Sequence, residues 1–365
     1  MLLITDKPFT KTFRTYLTPR EYGTLTWRFW HTNTVDSTWD DGSVSKAGQE
    51  GGTWTVLEAC ISDGGRIADG TIEPNTSIPI IFAGKETKTV EPGEAFFSDE
   101  VTFTLEEGHY LVFTWTIQAK KTGYVFPYNT ERCLMSTYIA DGLVAQQCEK
   151  ESFVPSDNMV VLPHLFAIRK KVTKKICFMG DSITQGVNTK KDANEYWVYK
   201  IGEKLPKEFG IWNIGSGWSR AYDAAQDGSW LNKAKQNDEV ILCFGVNDIG
   251  TGKRTYEQLL QSLTIIVEKL WEANPHLRVL LFTVPSFNFV GEEAKIWRKI
   301  NETIKTEPPK GVEHVFDIAS ILALPAPNDT QTKGEYQVSE EDCHPNGKAG
   351  TVVAEAFLKW YSQLR

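Results

Sequence analysis

Beyond Lys174 the hydropathy of this 365-residue chain changes period, and that change constrains the fold more than any single motif. Short apolar runs at 176–179, 210–214, 239–244, 277–284 and 312–316 have the length and content of buried parallel strands. They alternate with helical patterns near 192–206, 220–236, 255–273, 292–305 and 347–364. In the last of these, Val352, Val353, Ala356, Phe357 and Trp360 make one apolar stripe, and Asn346 stands where a cap is needed. Strand and helix repeated in this way build βα units and a parallel sheet covered on both faces. The expected fold is α/β, a doubly wound sheet with flavodoxin-like strand order.

The first half has another texture. From Leu25 to about Ala140, short alternating or aromatic-rich segments at 24–29, 54–61, 78–82, 101–105 and 110–117 are divided by Pro74-Asn75, Glu106-Glu107-Gly108 and similar turn clusters. They predict an all-β sandwich or jelly roll. Its tryptophans, Trp27, Trp30, Trp39, Trp54 and Trp115, suit a sandwich core and rim better than a sugar-stacking platform. The stretch 154–175, with Pro155, Pro163 and Arg169-Lys170-Lys171, reads as a passage between domains. The chain is longer than one core usually serves, so two domains are expected, 1–170 with its linker and 171–365.

In an open α/β sheet, ligands bind outside the carboxyl ends of the strands. Here the first strand ends in Gly180-Asp181-Ser182, the second in Asn213-Ile214-Gly215-Ser216-Gly217 and the third in Gly245-Val246-Asn247-Asp248. A loop before the last helix carries Glu341-Asp342-Cys343-His344-Pro345-Asn346. One rim of one sheet therefore collects a serine, a glycine, an asparagine and a histidine from distant parts of the chain.

Gly180-Asp181-Ser182-Ile183-Thr184, Gly245-Val246-Asn247-Asp248 and His344-Pro345-Asn346 resemble the sequence blocks of the SGNH, or GDSL, hydrolase superfamily over roughly residues 175–365. The resemblance implies a serine esterase: Ser182 as nucleophile, His344 as base, and an oxyanion hole from the Ser182 and Gly217 backbone N–H groups and the Asn247 side chain. Phe82-Ala83-Gly84-Lys85, Pro92-Gly93 and Phe97-Ser98-Asp99 resemble a β-domain that precedes some bacterial SGNH esterases. Two departures matter. The family's acid stands three residues before the histidine, where this chain has Glu341, with Asp342 one residue closer. Spacing favours Glu341, chemical type favours Asp342, and a backbone carbonyl orienting the ring is the third alternative. The glycine block is one residue tighter than usual, which leaves Gly215 as the substitute for Gly217.

The chemistry asks for these residue types in its own right. A serine hydroxyl attacks only when a neighbouring imidazole takes its proton, and the same imidazole later protonates the leaving group. His344 is the one histidine expected on this rim, whereas His31, His109, His164, His276 and His314 are read as structural. Asp317, after the fifth strand, is read as a helix cap. Cys343 beside His344 invites a thiol nucleophile, but adjacent side chains seldom face each other productively.

Other function classes fit poorly. The formal charge of -8 and the scattered basic residues argue against nucleic acid. The glycines of 180–186 are spaced wrongly for a phosphate loop and no lysine follows them, and 215–220 lacks the third glycine of a dinucleotide fingerprint. None of the six cysteines falls in a CxxC pair, so no metal is expected, nor any cofactor. Cys177 and Cys243 are expected as buried thiols. No basic leader or long apolar run marks the start, which predicts a cytoplasmic protein without a membrane partner. The family resemblance implies short-chain O-acyl esters as substrates, small molecules or oligosaccharides, with acetylated carbohydrate leading; Trp218 and the 285–289 loop are candidate pocket walls. The rivals are a lipase or thioesterase for longer acyl chains and a non-catalytic carbohydrate-binding protein on a hydrolase scaffold.

Overall fold

The computed structural model describes residues 1–36, 48–129, 134–156 and 159–364, so Trp39 and Cys133 lie outside the described residues. One unit comprises Met1–Val35 and Gln49–Lys171; the other runs from Val172 onward and includes Asp36.

The first unit is a β-sandwich. One antiparallel sheet is centred on Phe9–Leu17, Leu111–Ala119 and Trp54–Asp63. The other is built on Gly23–Thr32, flanked by Leu165–Ile168, Ala95–Phe97 and Val101–Leu105. Phe13, Ile61, Phe113 and Trp115 from the first sheet meet Trp27, Phe29 and Phe103 from the second in one core. Trp54 and Trp115 are both buried, and their indole N–H groups are satisfied by Asn33 Oδ1 (3.0 Å) and the Val161 carbonyl (2.9 Å). These two tryptophans therefore serve packing, since a buried indole needs its one donor paired.

Two features depart from the sequence reading. Phe9–Leu17 is a central strand although its sequence is half polar: Thr12 and Arg14 are wholly buried there, and Arg14 donates to the carbonyls of Gly70, Ala145 and Gln147. Part of the expected linker is also a strand, with Leu165 opposite Trp30 and Ile168 opposite Trp27.

The second unit holds five parallel strands, Lys174–Gly180, Phe209–Asn213, Glu239–Cys243, Arg278–Phe282 and Val312–Phe316. In sequence order they lie 2-1-3-4-5, the flavodoxin-like arrangement. Alternation sends Cys177, Met179, Leu242 and Leu281 to one face, against helices Tyr256–Ala273 and Gly291–Thr306. Ile176, Phe178, Ile241 and Phe282 face the opposite way, against Trp197–Lys204 and Gly347–Tyr361. Burial of each such side chain stabilises the fold by about 1.5–3 kcal/mol, which is why near-continuous apolar runs were needed. Thr255 and Gln258 close a reciprocal cap on Tyr256–Ala273.

The helical stretch expected at 220–236 is two short helices, Ala221–Ala224 and Ser229–Ala234, because Asp227 turns left-handed (φ 56°) before Gly228. The stretch expected from 192 becomes helical only at Trp197, since Asp192 and Asn194 are left-handed as well. Among the described residues, no helix is long and apolar enough to cross a membrane.

Candidate active site

The serine stands where the central strand stops. Gly180 has no room for a side chain: a Cβ there would lie 2.4 Å from the Cys243 carbonyl oxygen and 2.1 Å from Thr184 Oγ1. Asp181 then caps the short helix Ser182–Gln185, accepting the Ile183 N–H at 2.9 Å. Ser182 is thereby held at a helix start, 9% exposed, with its hydroxyl turned to the rim.

The neighbouring strand ends are stitched to one another. Gly215 lies against the serine helix so closely that a Cβ would meet Gln185 N at 2.4 Å, and its N–H is taken by Asn213 Oδ1 at 2.9 Å. Gly217 sits in the turn that follows, ahead of Trp218, whose backbone is left-handed (φ 64°) and whose indole is 43% exposed. Asn247, on the helix Val246–Ile249, donates from Nδ2 to the Ser219 carbonyl at 3.0 Å. Asp248 accepts the backbone N–H groups of Ala221 (2.8 Å) and Tyr222 (3.2 Å). The third strand end thus fixes the segment that carries Gly217.

The histidine comes from outside the sheet. His344 was expected in a loop; it lies on Asp342–Pro345, a short strand paired with Gln337–Ser339. Asn346 anchors this hairpin to the last helix, accepting the N–H groups of Lys348 (3.0 Å) and Ala349 (3.1 Å) while donating to the carbonyls of Glu335 and Gln337. His344 Nε2 is 2.9 Å from Ser182 Oγ. His344 Nδ1 is 2.5 Å from Asp342 Oδ1, which also accepts the His344 backbone N–H at 3.0 Å. A carboxylate can only accept, so Nδ1 carries the proton and Nε2 presents its lone pair to the serine.

Of the two acid candidates, Asp342 is the one brought to the ring; Glu341 is exposed at the hairpin turn. Burial raises the Asp342 carboxyl, but the hydrogen bonds from His344 and Asn188 outweigh it and hold the group below the usual aspartate value. The Cys343 thiol is pushed up by partial burial and by Asp342 and so stays protonated. Cys177 and Cys243 are buried free thiols. Asp317 caps Ile318–Leu322, accepting the Ser320 N–H at 3.2 Å.

Of two further neighbours of the site, the first lies in the loop expected as a pocket wall and the second went unread in the sequence. Phe287, within the 285–289 loop, sets its ring edge-to-face on the His344 imidazole, with centroids 5.2 Å apart. Asn188 donates from Nδ2 to Asp342 Oδ2 at 2.5 Å. Its signal was local: Gly186 ends the serine helix, and Asn188 follows in a left-handed conformation (φ 65°) that asparagine tolerates better than most residues.

A 2-1-3-4-5 parallel sheet with a serine and a histidine in contact at its carboxyl rim defines an α/β hydrolase of the SGNH type. Residues 178–349 match the GDSL-like Lipase/Acylhydrolase family, so the second unit is a domain of that family and the protein is a carboxylic ester hydrolase. No curated protein matches the chain. Among solved structures, a carbohydrate esterase family 3 from Talaromyces cellulolyticus is 18% identical over 52% of this chain and 96% of its own, with a TM-score of 0.39. A family two carbohydrate esterase from Clostridium thermocellum, in complex with cellohexaose, is 11% identical over 98% of this chain and 92% of its own, with a TM-score of 0.41. Another family two carbohydrate esterase, from Cellvibrio japonicus, is 14% identical over 99% of this chain and 92% of its own, with a TM-score of 0.40.

Proposed function

We propose that the protein hydrolyses short-chain O-acyl esters, acetylated carbohydrate foremost, with Ser182 as nucleophile, His344 as general base and acid, and Asp342 as the carboxylate that orients the imidazole. The carrying observation is the continuous chain Ser182 Oγ to His344 Nε2 (2.9 Å) and His344 Nδ1 to Asp342 Oδ1 (2.5 Å). His344 takes the Ser182 proton as Oγ bonds to the acyl carbon, and the carbonyl electron pair moves onto oxygen. The backbone N–H groups of Ser182 and Gly217 and the Asn247 amide receive that oxyanion; Asn247 Nδ2 has two hydrogens, one engaged by Ser219 and one left for the substrate. The imidazolium then protonates the departing alcohol oxygen. Water, deprotonated by His344, releases the acid from the acyl-enzyme.

Phe287, set edge-to-face on His344, gives the site an apolar wall beside the imidazole, a surface suited to an acyl group. Trp218, 43% exposed beside the Gly217 turn, offers an aromatic surface suited to a sugar ring. Activity measured on p-nitrophenyl esters from acetate to octanoate should peak at acetate; a maximum at octanoate would favour a lipase or thioesterase instead. Asp342→Asn should lower kcat by about 10³- to 10⁴-fold while Glu341→Gln leaves it within about twofold, as expected when only one carboxylate holds the tautomer. Retained hydrolysis in Ser182→Ala would overturn the mechanism, and absence of ester hydrolysis in the wild type would favour a scaffold that only binds.

A further inference from the structure

We infer that Asn188 is a positioning residue of this site, acting through Asp342 to keep the imidazole in register while Ser182 is acylated. The inference rests on the Ser182–His344–Asp342 reading above. His344 and Asp342 lie on a two-stranded hairpin outside the parallel sheet, so their alignment with Ser182 needs its own fastening. Among the described side-chain hydrogen bonds, two run from this pair to the serine segment: His344 to Ser182, and Asp342 to Asn188. Both anchor points belong to one short piece of chain. Gly186 N–H and Val187 N–H return to the Ser182 carbonyl at 2.9 and 3.0 Å, and Thr189 N–H and Oγ1 return to the Gly186 carbonyl. Val187 is buried, so the Asn188 backbone is fixed relative to Ser182.

The amide is also committed in orientation. Asn188 Oδ1 is buried with no hydrogen-bond partner among the described residues, a cost the side chain bears while Nδ2 meets the carboxylate. Turning the amide over would set that oxygen against Asp342 Oδ2, two acceptors facing each other. The Asp342 contact therefore decides how Asn188 lies.

The two fastenings differ over the catalytic cycle. Once Ser182 Oγ carries the acyl group it no longer donates to His344, and of the described side-chain hydrogen bonds between the pair and the serine segment the Asn188–Asp342 bond remains. His344 must then hold its place to deprotonate water. Loss of Asn188 is accordingly felt most in deacylation.

Asn188→Gly is the informative variant, because glycine accepts the left-handed backbone and removes only the amide. Stopped-flow hydrolysis of p-nitrophenyl acetate separates the acylation burst from the steady state. We expect deacylation to slow about tenfold with acylation changed less, and the loss to shrink to about twofold or less when Asp342 is already Asn, the non-additivity of groups acting as one unit. The isosteric Asn188→Asp, which sets a carboxylate against Asp342, should lose at least as much while melting near the wild type. Equal losses in both Asp342 backgrounds, or a normal deacylation rate in Asn188→Gly, would overturn the inference. A wild-type rate in Asp342→Asn alone would instead overturn the reading it rests on, so the two failures are distinguishable.

Discussion

The parallel sheet buries carboxylates at both of its edges and treats them in opposite ways. At the amino edge Glu239, fully buried, is met by Lys174 (3.4 Å), Arg278 (2.9 Å) and the Tyr361 hydroxyl (2.6 Å), and Arg278 continues to Glu313. At the carboxyl edge Asp181 and Asp248 are just as buried, yet neither makes an ion pair among the described residues; they accept backbone N–H groups, Asp248 acts on Asp181 through space, and Asp223 and Arg254 act on Asp248 in opposite directions. Burial raises Asp181 to about 7, with Asp248 adding to the effect, and burial likewise raises Asp248 to about 6. A carboxylate placed against cations adds stability once its desolvation is offset, whereas one held only by amides fixes the backbone at a cost. The amino edge is built to hold the sheet, and the carboxyl edge to hold the loops that carry Ser182, Gly217 and Asn247.

That contrast predicts a dissociation between stability and rate. Glu239→Gln should cost about 2 kcal/mol in chemical denaturation, because the remaining amide leaves Lys174 without its counter-charge and Arg278 with Glu313 alone, while kcat stays unchanged. A fall in kcat at constant stability would break the comparison. Asp248→Asn should behave in reverse. One of the two N–H groups of Ala221 and Tyr222 would face an amide NH₂, loosening the segment that carries Gly217, so kcat should fall about thirtyfold, equivalent to about 2 kcal/mol. Stability should change little, since relief of a buried charge offsets the lost contact.

The same contrast explains what the sequence could disclose. Strands such as Ile176 to Met179 are covered on both faces, so their identity and their order as a doubly wound sheet were legible in runs of apolar residues. The rim positions of Ser182, Asn247 and His344 were legible because each follows a strand or precedes a helix with a recognisable cap. The carboxylate that meets His344 was not, because spacing along the chain does not say which of two adjacent carboxylates a hairpin turns inward; Asp342 faces the ring and Glu341 faces solvent. Phe9–Leu17 was hidden for a related reason. Its outer face is roofed by loops whose carbonyls satisfy Arg14, and a buried strand that meets carbonyls does not need an apolar pattern.

The smallest effect tests the carboxyl edge most directly. The Asp181 carboxyl sits above its unfolded value of 3.8, so the folded state keeps a proton that the unfolded chain has already released. Stability from this group is complete below the unfolded value and is lost as pH rises through about 7. Between roughly pH 5 and 7 the second unit should therefore lose up to about 1.4 kcal/mol per pH unit through this group. Asp181→Asn can still accept the Ile183 N–H through its amide oxygen but carries no titrating group, so its denaturation midpoint should vary less with pH than that of the wild type. Urea titrations of both proteins across this range check the difference. Parallel pH profiles would mean that Asp181 remains ionised in the fold and that the carboxyl edge, like the amino edge, neutralises its charge.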